Sequence, residues 1–458
     1  MSVPSSSGAS SPSSPAERTL KPWWPIVAIG LLLILGILFS LPGSFEPPAV
    51  GGGPINAADT AWILTATALV LLMTPGLAFF YGGMVGRQHI VSTMFLSFIA
   101  IGVVSLLWIV VGFSLAFGDS IGGLIGDPRT FFMLSNVSLT THPTLSPTVP
   151  FLLFALFQMK FAIITPALVT GAFVERIRFG AFIVFMLLFS IFVYAPLAHW
   201  TWHPHGILRV WGILDFAGGT VVHMSAGFAG LAGALVVARK RVNPDDLDAH
   251  APANIPFILL GTGLLWFGWF GFNAGSALAA NEQAVLAFMT TNTAAAAAMV
   301  AWVLFDLASG RRPSAMGAAI GAVVGLVAIT PASGFVGVGA SIVIGTLSSL
   351  ASNLILTFGI KSVLDDTLDV FACHGVGGVV GMILTAVFAK EGGLITGDAT
   401  LLWKHLIAAI GVAAFSFTLS VALYRIVGFV MHLHHRDYHP AIPETGDFKP
   451  ITGMTQKP

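Results

Sequence analysis

The chain has 458 residues, of which 56% are apolar and only 9% charged, and its mean hydropathy is +0.89. A soluble domain carries about 25% charged residues, so a soluble enzyme or binding module is excluded. Net charge is zero, which offers nucleic acid no basic surface, and the single cysteine, Cys373, excludes a disulfide framework and a CxxC metal or redox motif.

Taken in chain order, residues 1–20 are Ser/Pro-rich, a composition that reads as disordered. The apolar run Trp23 to Leu41 follows. It can be a signal peptide or an anchor; its length exceeds an h-region of about 7–15 residues and no A-x-A site follows, which favours an uncleaved anchor. Eleven apolar segments then lie between Ala57 and Leu433, at 59–85, 90–117, 150–173, 179–198, 214–238, 255–276, 284–309, 314–330, 334–358, 369–389 and 400–431. A stretch of about 20 apolar residues spans the hydrocarbon core as a helix. The expected class is therefore an all-α polytopic membrane protein. The 51 glycines suit close helix packing in lipid. The longest connection, Asp119 to Pro150, is rich in Ser, Thr and Pro.

Basic residues orient the spans. With the first span entering from outside, Arg87, Arg176, Arg178, Arg239, Lys240, Arg241, Arg311, Arg312 and Lys361 fall in cytoplasmic loops, and Arg425 and Arg436 join them at the end. Only Arg129, Arg209, Lys390 and Lys404 then remain outside. The positive-inside rule selects this orientation and a cytoplasmic C-terminus.

The fifth and tenth segments share a pattern: Leu-Asp, then a histidine in H-x3-G-x2-G, as Asp215 with His223, Gly227 and Gly230, and as Asp369 with His374, Gly378 and Gly381. Five spans separate the two, so they run in opposite directions. This points to a five-plus-five inverted repeat plus one helix, with the substrate path at the repeat interface. His223 lies roughly 12 Å inward from Asp215, and His374 roughly 7.5 Å from Asp369. In a core about 30 Å thick the rings meet only if at least one aspartate is sunken.

Thirteen histidines are present, and only His223 and His374 read as lying well inside the spans. One such histidine could simply hold a backbone carbonyl, but two at matching places in a repeat point to function. Neutral imidazole offers one donor and one acceptor. A dry pore with a facing pair suits a small polar guest that can shed a proton, and penalises metal cations that cannot.

Five motifs give the family. Asp215-Phe-Ala-Gly-Gly-Thr-Val-Val-His223, Phe272-Asn-Ala-Gly-Ser276, Phe157-Gln-Met-Lys-Phe161-Ala, Pro75-Gly-Leu-Ala-Phe-Phe-Tyr-Gly-Gly83 and the segment Asp369 to His374 together resemble the ammonium transporter (Amt/Mep/Rh) family, in its bacterial Amt branch. The resemblance covers essentially all eleven spans. It assigns residues 57–432 to the transporter domain, 1–56 to an N-terminal tail and 433–458 to a cytoplasmic tail. It implies a homotrimer in the cytoplasmic (inner) membrane, moving ammonium or ammonia, with methylammonium as an analogue, through one pore per subunit, with no cofactor. Trp202, Phe157 and Ser276 would form the external recruitment site, Phe157 and Phe272 the stacked gate beneath it, and His223 and His374 the twin histidines. Trp200 competes with Trp202, being two residues away. Asp215 and Asp369 would cap helix starts, stabilise the cation, or both.

Some features depart from that pattern. Lys160 lies mid-span between Phe157 and Phe161, where a cation facing the pore would repel the substrate, so it should point away. The tail after Met431 lacks the acidic G-L-D segment that many relatives present to a PII signalling protein, which argues against PII docking. His432, His434, His435 and His439, and His199, His203 and His205, have no firm metal-ligand spacing. An ammonium sensor of the same fold is the alternative to a transporter. An intramembrane enzyme lacks a nucleophile and an acidic ligand set.

Overall fold

The computed structural model describes residues 24–40, 52–237, 252–358 and 366–433. Residues 1–23 and 41–51, with Arg239 to Arg241, Lys361, His434, His435, Arg436 and His439, lie outside the described residues. Two units result, Met1–Phe45 and Glu46–Pro458. In the first, α1 (Trp24–Leu38) is an apolar helix of 15 residues, about 22 Å long at 1.5 Å per residue.

The second unit is helical apart from two small hairpins. It opens with α2 (Ala57–Met84), started by Asn56, whose side chain accepts from the Ala58 and Asp59 amides. Next comes α3 (Ile90–Leu107), continued by a π turn over Trp108–Gly112 into Phe113–Phe117. The polar connection then folds as β1 (Ser120–Ile121) paired with β2 (Ile125–Gly126), and β3 (Thr141–His142) paired with β4 (Ser146–Pro150). After it run α4 (Phe151–Val169) and α5, which comprises Phe179–Phe189, a π turn at Ser190–Tyr194 and Ala195–Trp202. The short α6 (Ile207–Trp211) precedes α7 (Gly219–Val236). The remaining helices are α8 (Ile255–Gly275), α9 (Glu282–Ala308), α10 (Ala315–Ile329), α11 (Val338–Phe358), α12 (Phe371–Phe388) and α13 (Thr400–Val430).

Among the described residues ten helices are long and apolar enough to cross a membrane, and α10 is the eleventh. With 15 residues it falls short of the usual span, yet nearly all of it is buried. Neighbouring helices rather than lipid surround it, so its ends need not reach both headgroup layers. The first spans of the two halves, α2 and α8, pack closely: a Cβ at Gly261 would sit 2.3 Å from the Phe80 amide nitrogen. The fifth spans, α7 and α12, also meet, as a five-plus-five repeat requires, and α13 is the extra helix.

Several helices begin later than the apolar pattern suggests; α11 starts at Val338 and not at 334. The fifth span starts at Gly219, not at 214, because Asp215 turns back to cap it and Gly218 sits at φ 114°. The tenth starts at Phe371, with Asp369 in left-handed backbone at φ 59°. The fourth runs on to Trp202. Both aspartates are buried, which supplies the sunken ends that the axial ruler required.

The crossing of α7 and α12 is the tightest contact in the pore region. A Cβ on Gly227 would lie 2.1 Å from the Gly375 amide nitrogen and 2.3 Å from its Cα. In return, a Cβ on Gly378 would press on Met224 at 2.9 Å. The first glycine of each motif, Gly227 and Gly378, thus packs beside the histidine of the other half. Because the Gly227 contact is backbone on backbone, no side chain can yield. Gly227→Ala should therefore push the helices apart and cost more than about 3 kcal/mol, beyond ordinary overpacking. Thermal unfolding in detergent reads this; a wild-type melting temperature would show the crossing to be looser than described.

Candidate functional site

Both histidines sit on π turns, His223 on Gly219–Met224 and His374 on Phe371–Val376. One extra residue per turn re-aims the side chain, a device common at functional sites. The two rings meet with Nδ1 atoms 3.3 Å apart, ring centroids 5.4 Å apart and planes 22° from parallel. Both are buried. Two Nδ1 atoms can share a hydrogen bond only if one carries the proton and the other a lone pair. The remaining Nε2 edges are then one acceptor and one donor. His223 Nε2 is buried and has no hydrogen-bond partner in the protein; both histidines line a lumen with Trp269, Phe272, Leu265, Val222 and Val323, among other apolar groups. The lumen holds about 10 Å³, room for one water-sized molecule. Trp269 stacks on His223 at 5.3 Å and 20°, fixed by its indole N–H donating to Thr330 Oγ1 at 2.9 Å.

Next to the lumen lies a vestibule of about 430 Å³, lined by Phe161, Trp202, Asp215, Phe216 and Ser276, among others. Phe161 and Phe272 pack with centroids 4.2 Å apart and planes tilted by 35°, and Trp202 meets Phe161 edge-on at 5.8 Å. Phe161 faces the vestibule and Phe272 the lumen, so this pair is the partition between them. The expected pair of Phe157 with Phe272 is corrected here. Phe157 lies one turn away on α4, packed behind Phe161 at 5.0 Å and against the bare backbone of Gly275. Residues four apart share a helix face, so F-Q-M-K-F could not say which ring reaches the vestibule. Trp202 lines the vestibule, while Trp200 donates to the Leu124 carbonyl and packs on Phe415. Ser276 donates its hydroxyl to the Phe272 carbonyl at 2.8 Å, which commits its proton and leaves its lone pairs for a donor in the vestibule.

Asp215 uses its whole acceptor capacity locally. Oδ1 accepts from the Gly218 and Gly219 amides at 2.8 and 2.6 Å, and Oδ2 from the Thr220 amide at 2.7 Å and the Thr220 hydroxyl. A carboxylate has about four lone-pair positions, so none is left for a bound cation; what reaches the vestibule is its charge. In the other half the matching cap comes from Asp366, whose Oδ2 accepts from the Phe371 amide at 2.7 Å. Asp369 contributes the left-handed turn and accepts the Cys373 amide on its carbonyl. The Leu-Asp match concealed this exchange of roles.

Lys160 is buried away from both vestibule and lumen linings, and its Nζ lies 3.7 Å from Met159 Sδ. Among the outer histidines, His199 and His203 stack at 4.3 Å. His199 is held by the Ala116 carbonyl and Ser120, and no group of described residues is arranged to hold a metal. His405, one turn into α13 and fully buried, corrects the count of two histidines inside spans.

The pattern of the Ammonium Transporter Family matches residues 61–440. The chain is 45% identical over 380 residues to a putative ammonium transporter of Methanothermobacter thermautotrophicus, covering 81% of this chain and 91% of that one. It is 43% identical to an ammonium transporter of Aquifex aeolicus, with 87% and 93% covered. Among solved structures, Candida albicans Mep2 matches with TM-score 0.76 at 36% identity, over 81% of this chain and 84% of that one. A structure described as a sensor Amt protein matches with TM-score 0.75 at 31% identity, over 84% and 95%.

Removing the Asp215 carboxylate leaves three amides at the start of α7 without acceptors. Asp215→Ala should therefore destabilise the fold by about 2 kcal/mol or more, read as a lowered melting temperature in detergent. Asp215→Asn, which keeps one acceptor oxygen but turns an N–H toward an N–H, should fall between the two. Unchanged melting of Asp215→Ala would remove the capping role.

Proposed function

Because the chain belongs to the Ammonium Transporter Family, we propose that it carries ammonium across the cytoplasmic (inner) membrane along the path from vestibule to lumen, with its arginine-rich end and C-terminus in the cytoplasm. The observation that carries this reading is the 3.3 Å Nδ1–Nδ1 contact between the only polar side chains in an otherwise apolar lumen of about 10 Å³.

In this reading Trp202 and Phe161 attract NH4+ by their ring faces, Ser276 accepts an N–H, and the Asp215 charge favours a cation nearby. Passing the Phe161–Phe272 pair strips water from the guest. A bare charge in a dry cavity is costly, and ammonium can lower that cost by leaving its proton with the acceptor edge of the histidine pair. Potassium cannot. Methylammonium shares the N–H donors and the acidic proton, so it serves as an analogue. We also propose a homotrimer with a pore in each subunit; the open apolar groove between α9 and α11, with Val300, Leu304 and Ile342, suits a neighbouring subunit's helices. The tail sequence gives no reason to add PII docking. The sensor likeness supports a second reading, in which substrate binds and signals without sustained flux.

Electrogenic flux in proteoliposomes separates these readings. The wild type should carry ammonium current and no comparable potassium current; no flux despite substrate binding would favour the sensor. Each single histidine substitution leaves its partner with an unmatched buried edge, costing roughly 1–3 kcal/mol, so the two should be non-additive. An acidic replacement such as His223→Asp should retain some transport and admit potassium. The His223→Leu/His374→Leu double variant should lose proton-coupled movement; ammonium current at the wild-type rate and selectivity would make both histidines structural.

A further inference from the structure

Besides the bonds of the Asp215 carboxylate, three hydrogen bonds hold the strap Leu214 to Phe216 that leads into α7. The Phe216 amide donates to the Pro331 carbonyl at 3.1 Å, and the Asp215 carbonyl accepts the Trp202 indole N–H at 3.4 Å. The third comes from α13: the Leu214 amide donates to His405 Nε2 at 3.0 Å. On the other side of that ring, Nδ1 lies 2.8 Å from the Met382 carbonyl of α12. A carbonyl can only accept and an amide N–H can only donate, so these partners fix the tautomer. His405 is neutral, with its proton on Nδ1 and its lone pair on Nε2.

His405 lines neither vestibule nor lumen, yet it ties together the parts that do. Asp215 and Phe216 of the strap form vestibule wall, and the strap leads directly into the π turn that bears His223. Met382 belongs to the helix that bears His374. We propose that His405 is a positioning residue for recruitment: its ring clamps the strap to α12, setting where Asp215, Phe216 and the Trp202 indole stand around the incoming cation. The proposal rests on the recruitment reading above.

A side-chain amide can imitate the clamp, its NH2 reaching the Met382 carbonyl and its oxygen the Leu214 amide. H405Q therefore keeps both bonds, while H405L keeps the volume and loses both. The measurement is the half-saturation concentration and maximal rate of methylammonium uptake in proteoliposomes for wild type, H405L, H405Q and W202L, with elution and melting checked for each. H405L should raise half-saturation about tenfold with little change in maximal rate, the scale of one lost buried hydrogen bond, and H405Q should return it to within about threefold. Wild-type half-saturation in H405L, or H405Q no better than H405L when both fold, overturns the proposal. Should H405L not fold, H405Q is compared with H405N, whose shorter amide cannot span both partners; equal values overturn it. An unchanged W202L instead overturns the vestibule reading itself, whereas a raised W202L beside a normal H405L removes only His405.

Discussion

The pore depends on two helices touching backbone to backbone. Where Gly227 meets Gly375 there is no room for a β-carbon, and this closeness is what brings the rings of His223 and His374 within hydrogen-bond range. Longer side chains at the crossing would separate the helices by more than the slack in a 3.3 Å contact. Interiors are packed too densely to absorb such a shift elsewhere. The π turns complete the arrangement: one lies just ahead of Gly227 and the other contains Gly375, so each places its histidine beside the crossing.

Around that crossing the molecule separates a wet compartment from a dry one. The vestibule gathers the Asp215 and Arg209 side chains, an indole and a hydroxyl acceptor; in the proposed function the acceptors would act on a cation that still holds part of its hydration. The lumen offers only aromatic and aliphatic walls and two imidazole edges. The boundary is a packed pair of phenylalanines, which presents no polar group to compensate a charge in transit. In the proposed function a charge attracted in the vestibule would be penalised in the lumen, and that order of compartments would distinguish a guest that can give up a proton from one that cannot.

How much of this was legible in the sequence varies with the physical signal. Spans declare themselves by composition, and ten of the eleven segments match helices to within a few residues because lipid exposure demands long apolar runs. The H-x3-G-x2-G repeat was visible because glycine at a crossing cannot be replaced. Helix starts were less so: Leu-Asp marked both, but Asp215 caps its helix through its side chain while Asp366 does so in the other half, three residues ahead of the matching Asp369. Phe157 and Phe161 share one face of α4, and periodicity cannot rank two rings on the same face. Trp269 and His405 gave no signal, since each acts through a partner more than 60 residues away in sequence or across the bundle.

The unequal capping of the two halves limits their symmetry. In the first half the carboxylate at the helix start lines the vestibule, with every lone pair engaged. Those bonds fix its position in the vestibule wall. In the second half the capping carboxylate, Asp366, lies beside the loop that carries Arg176, whose guanidinium bonds the Ala172 carbonyl and the Thr367 hydroxyl. There the negative charge has a positive neighbour. An inverted repeat alone would make the two halves equivalent; here one half caps its helix with Asp215 in the vestibule wall, which Arg209 also lines, and the other with Asp366 near Arg176. The twin histidines, related by the same repeat, remain close to symmetric. Asymmetry therefore enters at the helix caps, while the proposed path keeps matching histidines at its centre.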